Sequence, residues 1–190
     1  MRRKILVASL LLIAVAVIAM VWINRRPMVV ERANLGGPPP QIRAPRTLIG
    51  QLAPSFAGLD QDGREVSAPA LRGRVVVLSV WASWCQPCLR ELPRLEREVY
   101  QRFQPQAVVV GVGLGEGHAK VVDFNRRASL TFPLLADPNR KIARRFGADH
   151  AIPQTFVIDR SGVIVYQTFG YDERNFDHLA AAAERAIARR

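Results

Sequence analysis

The sequence predicts an α/β domain with a mixed sheet covered by helices on both sides, carried behind a single apolar N-terminal segment. Three observations predict it. From residue 51 onward short apolar runs alternate with stretches of 3.6-residue periodicity. The run 75–80, VVVLSV, is apolar on both faces, as a central strand is. Residues 155–159 and 163–168 are separated only by Arg160, Ser161 and Gly162, the spacing of an antiparallel hairpin. With 190 residues the chain has room for one domain of ordinary size plus an appendage.

The appendage comes first. Residues 5–23, ILVASLLLIAVAVIAMVWI, have Ser9 as their only polar side chain. At 1.5 Å per residue they reach about 28 Å, close to the hydrocarbon thickness of a bilayer. Arg2, Arg3 and Lys4 precede the run as in a secretory head. Val17 and Ala19 have the spacing a signal peptidase accepts, yet Met20 to Ile23 continue the apolar run past them, which favours a retained transmembrane anchor over a cleaved signal. Arg25, Arg26 and Arg32 nearly balance the basic head, so charge alone orients the segment weakly. The order of head, apolar run and single domain predicts export of the domain, with the protein held in the cytoplasmic membrane. Residues 24–50 lack periodicity and carry Gly36, Gly37, Pro38, Pro39, Pro40 and Pro45, the composition of a tether. The expected division is therefore 1–23 head and anchor, 24–50 tether and 51–190 folded domain.

Within the domain, residues 56–59 and 65–67 flank Asp60-Gln61-Asp62-Gly63 and read as a hairpin. The strand 75–80 leads to a helix over 87–100, with Leu89, Leu92, Leu95, Glu96 and Val99 in one stripe and a kink expected at Pro93. A second buried strand spans 107–112, and helices are predicted over 118–127, over 138–146 ending at Gly147, and over 175–188. Gly111, Gly113, Gly115 and Gly117 do not complete G-x-G-x-x-G and read as a flexible loop after a strand. No internal repeat is visible.

Composition removes several functions. The formal net charge is +11, but only Lys4, Lys120 and Lys141 are lysines and the arginines are scattered from Arg2 to Arg190, without the aromatic-interleaved stripe of a nucleic-acid binder. Two cysteines exclude a disulfide-stapled miniprotein and a four-thiolate zinc site. A charged fraction of 23% excludes a polytopic membrane protein.

The two cysteines stand where strand gives way to helix, as Cys85-Gln86-Pro87-Cys88. Thiols three positions apart in a helical turn can close a disulfide. The unpaired N–H groups and positive dipole end of the helix favour the thiolate of the first. This makes Cys85 the nucleophile and Cys88 the resolving thiol, with Pro87 fitting the first turn and Trp81 and Trp84 expected to wall the site. Half a zinc knuckle is the competing reading, but no second C-x-x-C or H-x-x-H exists, and His118, His150 and His178 lie far apart. A static structural bridge would close too small a ring to stabilise much. Glu91, three residues after Cys88, falls on nearly the same helix face, either as a buried proton acceptor for Cys88 or as an exposed acid near the helix N-terminus. Pro153 is a candidate cis-proline whose turn would expose the backbone of Ile152 to an extended substrate; the alternative is a trans proline opening a strand.

The segment VLSVWASWCQPCLRELPRL resembles the active-site region of thioredoxin-like proteins of the TlpA/ResA/CcmG type, membrane-anchored thiol-disulfide oxidoreductases. The resemblance covers residues 51–190 and rests on W-C-x-P-C-x-x-E-x-P-x-L and on AIPQTFVIDRSGVIV. It implies a thioredoxin-like fold with an N-terminal β-hairpin extension and a helix-containing insertion between the 107 strand and Pro153. It also implies that Pro153 is the cis-proline facing the disulfide, that Glu91 is a buried glutamate tuning the cysteines, and that Ser79 replaces the buried aspartate of plain thioredoxins. Cys85, Cys88, Glu91 and Pro153 are thus the expected catalytic set, and Trp84, Pro87 and Ile152 the expected substrate contacts. No cofactor or metal is expected. Neither cysteine fits the P-x-x-x-T/S-x-x-C pattern of a peroxiredoxin.

By this resemblance the protein reduces disulfides of exported proteins, apocytochrome c or copper-site proteins, and is itself reduced by a membrane donor of the DsbD/CcdA type. The alternative is a copper-binding assembly chaperone with Cys85, Cys88 and His150 as ligands.

Overall fold

The hairpin ahead of the core forms as its turn chemistry dictates. In the computed structural model, which describes residues 18–20 and 46–189, β1 (Ala57–Leu59) and β2 (Glu65–Ser67) pair antiparallel. Asp60 Oδ1 accepts from the Asp62 and Arg64 N–H groups at 2.9 and 2.8 Å, and Gly63 takes a φ of +78°. Most of the apolar run 5–23 and of the tether 24–50 lies outside the described residues; residues 18–20 are helical and exposed. Among the described residues no helix is long and apolar enough to cross a membrane.

The run with no polar face becomes the middle strand. β3 (Val75–Trp81) lies parallel to β4 (Ala107–Leu114) on one side and antiparallel to β6 (Gln154–Ile158) on the other; β5 (Leu134–Asp137) and β7 (Ile164–Phe169) close the edges in the order β5-β4-β3-β6-β7. This is the mixed thioredoxin-like sheet expected. Every residue of β3 and β4 is buried, and alternation divides them between two cores. Val75, Val77 and Trp81 face one with Cys85, Cys88 and Leu92; Val76, Leu78 and Val80 face the other with Phe146 and Phe156. Ser79 therefore points to the same side as the cysteines.

After β3 the chain enters α1 (Gln86–Arg94), which continues as wider π-helical turns over Leu95–Tyr100 and a last α-turn at Gln101–Phe103. Pro93, where a kink is expected, has no N–H to give; the α-helix runs on through Arg94 and changes to π-helical turns two residues after the proline. Three boundaries differ from the sequence reading. The predicted helix 138–146 contracts to α3 (Lys141–Arg145), because Arg140 sits at φ 56° and gives its N–H to the Asp137 carbonyl in a turn. β5 occupies a stretch given no element by pattern, four residues being too few for alternation to register. β4 runs two residues past the expected end at 112, so Gly113 as well as Gly111 lies inside it and not in a loop. A Cβ on Gly111 would stand 2.6 Å from Leu134 Cδ2 and 3.0 Å from Trp81 Nε1, so these glycines admit a close approach. The remaining helices, α2 (His118–Ala128) and α4 (Glu173–Ala188), fall where periodicity placed them, with Asp172 capping the latter through Oδ1 to the Asn175 N–H at 2.8 Å.

Candidate active site

β3 delivers the chain to its end at Trp81, and a three-residue loop brings it to Cys85, which caps α1. The Cys85 Sγ accepts from the Cys88 N–H at 3.3 Å, and the Cys85 N–H donates to the Ala82 carbonyl at 3.0 Å. Cys85 and Cys88 are joined, S–S 2.08 Å. Cys85 retains 5% of its surface and Cys88 none, so an incoming group meets Cys85 first. Pro87 occupies the first turn, where a missing donor costs no helical bond.

The two tryptophans part company. Trp84 stands 65% exposed beside Cys85 and is available to a partner. Trp81 is fully buried in the cluster that holds Cys85 and Cys88, against Phe124 with ring centroids 4.3 Å apart, and so backs the site from inside. Its position in β3 turns it into the core, in the room left by Gly111.

Glu91 is 1% exposed beneath the dithiol turn. Ser79 and Thr155 are direct cross-strand partners in the β3–β6 register, so their hydroxyls meet on one face. Thr155 Oγ1 donates to Glu91 Oε1 at 2.8 Å and Ser79 Oγ to Oε2 at 3.1 Å, with 3.0 Å between the hydroxyls. Burial pushes the Glu91 carboxyl from 4.5 up to about 7, against the two hydroxyls, which pull it down. The exposed-acid alternative for Glu91 is removed by this burial.

The Ile152–Pro153 peptide is cis, and Ile152 packs against the buried cluster that holds both cysteines. The Pro153 carbonyl accepts from the Gly170 N–H at 2.8 Å, tying the turn to the end of β7. His150 is not gathered into the site. Its side chain is 83% exposed, 3.5 Å from Asp149, and among the described residues no three His, Cys, Asp or Glu side chains converge as a metal site would need. The Cys85–Cys88–His150 copper ligand set therefore has no geometric basis here.

Sequence reading missed one group. Glu116, also 1% exposed, accepts from both the N–H and the Oγ of Ser83 at 2.9 Å, and Lys120 Nζ lies 2.8 Å from its other oxygen. Burial alone would raise it, but Lys120 and Ser83 outweigh that and hold the carboxyl below its ordinary range. It anchors the loop that presents Trp84 and Cys85. The available signal was the i,i+4 spacing of Glu116 and Lys120 after a strand.

Residues 49–167 match the AhpC/TSA family. The chain is similar to the thiol-disulfide oxidoreductase ResA of Geobacillus thermodenitrificans, 37% identical over 117 residues that make up 61% of this chain and 66% of that relative, just under two thirds of its length. Among solved structures it is similar to a candidate protein disulfide isomerase of Bacteroides thetaiotaomicron, with TM-score 0.69, 32% identity, and 74% of this chain and 90% of that one covered. It is also similar to StoA of Bacillus subtilis, with TM-score 0.58, 25% identity, and 69% and 97% covered.

Proposed function

The chain belongs to the AhpC/TSA family and carries the dithiol of a thiol-disulfide oxidoreductase; we propose that the whole protein uses it to reduce disulfides of exported proteins while tethered to the cytoplasmic membrane. The observation that carries the reading is the asymmetric pair itself, an outer sulfur at a helix N-terminus over a fully buried inner one backed by Glu91.

In the reduced protein the Cys85 thiolate attacks one sulfur of a client disulfide. A Cys85–client S–S bond forms, the client S–S bond breaks, and the first client sulfur leaves as a thiolate that takes a proton from solvent. Glu91 accepts the Cys88 proton. The Cys88 thiolate then attacks Cys85 Sγ, closing the Cys85–Cys88 bond and breaking the Cys85–client bond, and the second client sulfur leaves as a thiolate that takes up a proton from Glu91 or solvent. Two electrons pass from protein to client, and a membrane donor of the DsbD/CcdA type returns them. Exposed Trp84 and the backbone of Ile152 beside cis-Pro153 support binding of an extended client segment, with Pro87 shaping the first turn of α1. Apocytochrome c or copper-site proteins are the proposed clients, and the apolar run 5–23 supports the membrane assignment.

The direction of electron flow is tested by the equilibrium midpoint of the dithiol in glutathione or dithiothreitol buffers. A reductant lies near thioredoxin, about −270 mV; a value near the strong periplasmic oxidants, about −120 mV, overturns the direction.

A further inference from the structure

The end of the sheet opposite the dithiol is basic and partly apolar, and the redox chemistry makes no use of it. Seven residues of β3 separate the two ends by about 20 Å. Next to Val75 a cavity of about 130 Å³ opens over Phe56, Leu71, Val76 and Ile158, with Leu52 at its edge 68% exposed. Arg72, Arg74 and Arg160 line it as well.

Among the described residues none of these three arginines has a carboxylate partner. Arg72 Nη1 donates to the Ser161 carbonyl at 3.3 Å and Arg160 to the Arg189 carbonyl, while Arg74 Nε is buried without a partner among the described residues. Asp159, the only acid among the described residues of the lining, commits one oxygen to Ser161 N–H, Ser161 Oγ and Val163 N–H in its own turn. A cationic excess therefore surrounds an apolar opening, the combination that suits the headgroup boundary of an anionic bilayer.

We propose that this surface, centred on Leu52, Arg72 and Arg160, docks on anionic phospholipid headgroups. The proposal rests on the reading of residues 5–23 as an anchor, which keeps the domain within reach of the bilayer. Leu52 enters the headgroup layer and the guanidinium groups pair with lipid phosphates.

The test reconstitutes the full chain in nanodiscs of phosphatidylcholine alone or enriched in phosphatidylglycerol and reads amide hydrogen exchange. Residues 70–74 and 158–163 are expected to exchange at least about fivefold more slowly on the anionic discs, an effect abolished by salt and by R72E/R160E. R72Q/R160Q, which removes charge without reversing it, is expected to lose most of the slowing, and unchanged insulin reduction by both variants shows that they fold. Equal exchange on the two lipids, or slowing that survives R72E/R160E, overturns the proposal, as does equal slowing by inorganic phosphate or by an acidic peptide without lipid. Flotation with neutral discs reads the anchor separately. Should the chain fail to float, the anchor reading falls, and the same exchange comparison with added vesicles of the two compositions still decides whether the surface binds anionic lipid.

Discussion

Two carboxylates flank the dithiol turn, each about 1% exposed, and they titrate in opposite directions. Glu91, under α1, has only the hydroxyls of Ser79 and Thr155 for company, and burial lifts it to about 7. Glu116, across the loop, meets burial too but faces Lys120 and the Ser83 N–H and is held low. Desolvation sets the cost of charge in both places; a nearby cation and a backbone donor decide whether that cost is overcome. One acid is thereby poised to exchange a proton near neutral pH, and the other is a fixed anchor.

The largest expected effect is on resolution. E91Q keeps the shape but accepts no proton, so closure of Cys88 on the mixed disulfide slows on the order of a hundredfold at pH 7. In stopped-flow traces the wild-type rate rises with pH through about 7 and the E91Q rate lacks that step. An unchanged rate and profile would reduce Glu91 to packing.

The same shift appears in stability. Because the folded pKa of Glu91 lies above its unfolded value, the fold favours the protonated acid. Oxidised wild-type protein should therefore lose roughly 3 kcal/mol relative to E91Q as pH rises from 4.5 to about 7, with nothing further lost well above that. Urea midpoints across the range measure it. Glu116 contributes in the opposite sense: its stabilisation is present above its unfolded pKa and is lost as pH falls through the depressed folded one.

E116A leaves the Ser83 N–H without its acceptor and should cost about 1–3 kcal/mol in urea unfolding at pH 7. K120A, which removes a half-exposed ammonium from a buried carboxylate, should cost less, about 1 kcal/mol, and move the acid limb of the stability curve upward in pH. If K120A proves more damaging than E116A, the contrast drawn between the two acids is wrong.

Much of this was legible in the chain. The unbroken apolar run of β3, the C-x-x-C at its end and the spacing of the last hairpin placed the sheet centre and the dithiol, because strand burial and helix capping are local signals. Glu91 was readable from its i,i+3 spacing to Cys88. The Ser79–Thr155 pair bonded to Glu91 was not, since it depends on the register between strands 76 residues apart. Glu116 was hidden for a like reason: its partner Ser83 lies 33 residues away, across a parallel pairing. Trp81 was legible as well: alternation from Val75 and Val77 puts it on the face of β3 that also carries Cys85 and Cys88.

The central claim is that Cys85 is the attacking sulfur and Cys88 the resolving one. It is tested most directly by mixing reduced C88S and C85S proteins with a peptide disulfide that carries a chromophoric leaving thiol, and locating the adduct by mass spectrometry. C88S is expected to accumulate a lasting adduct on Cys85, with C85S reacting at least about tenfold more slowly because Cys88 is fully buried and does not hold the N-cap position that Cys85 does. Equal rates for the two, or faster capture through Cys88, would contradict the account.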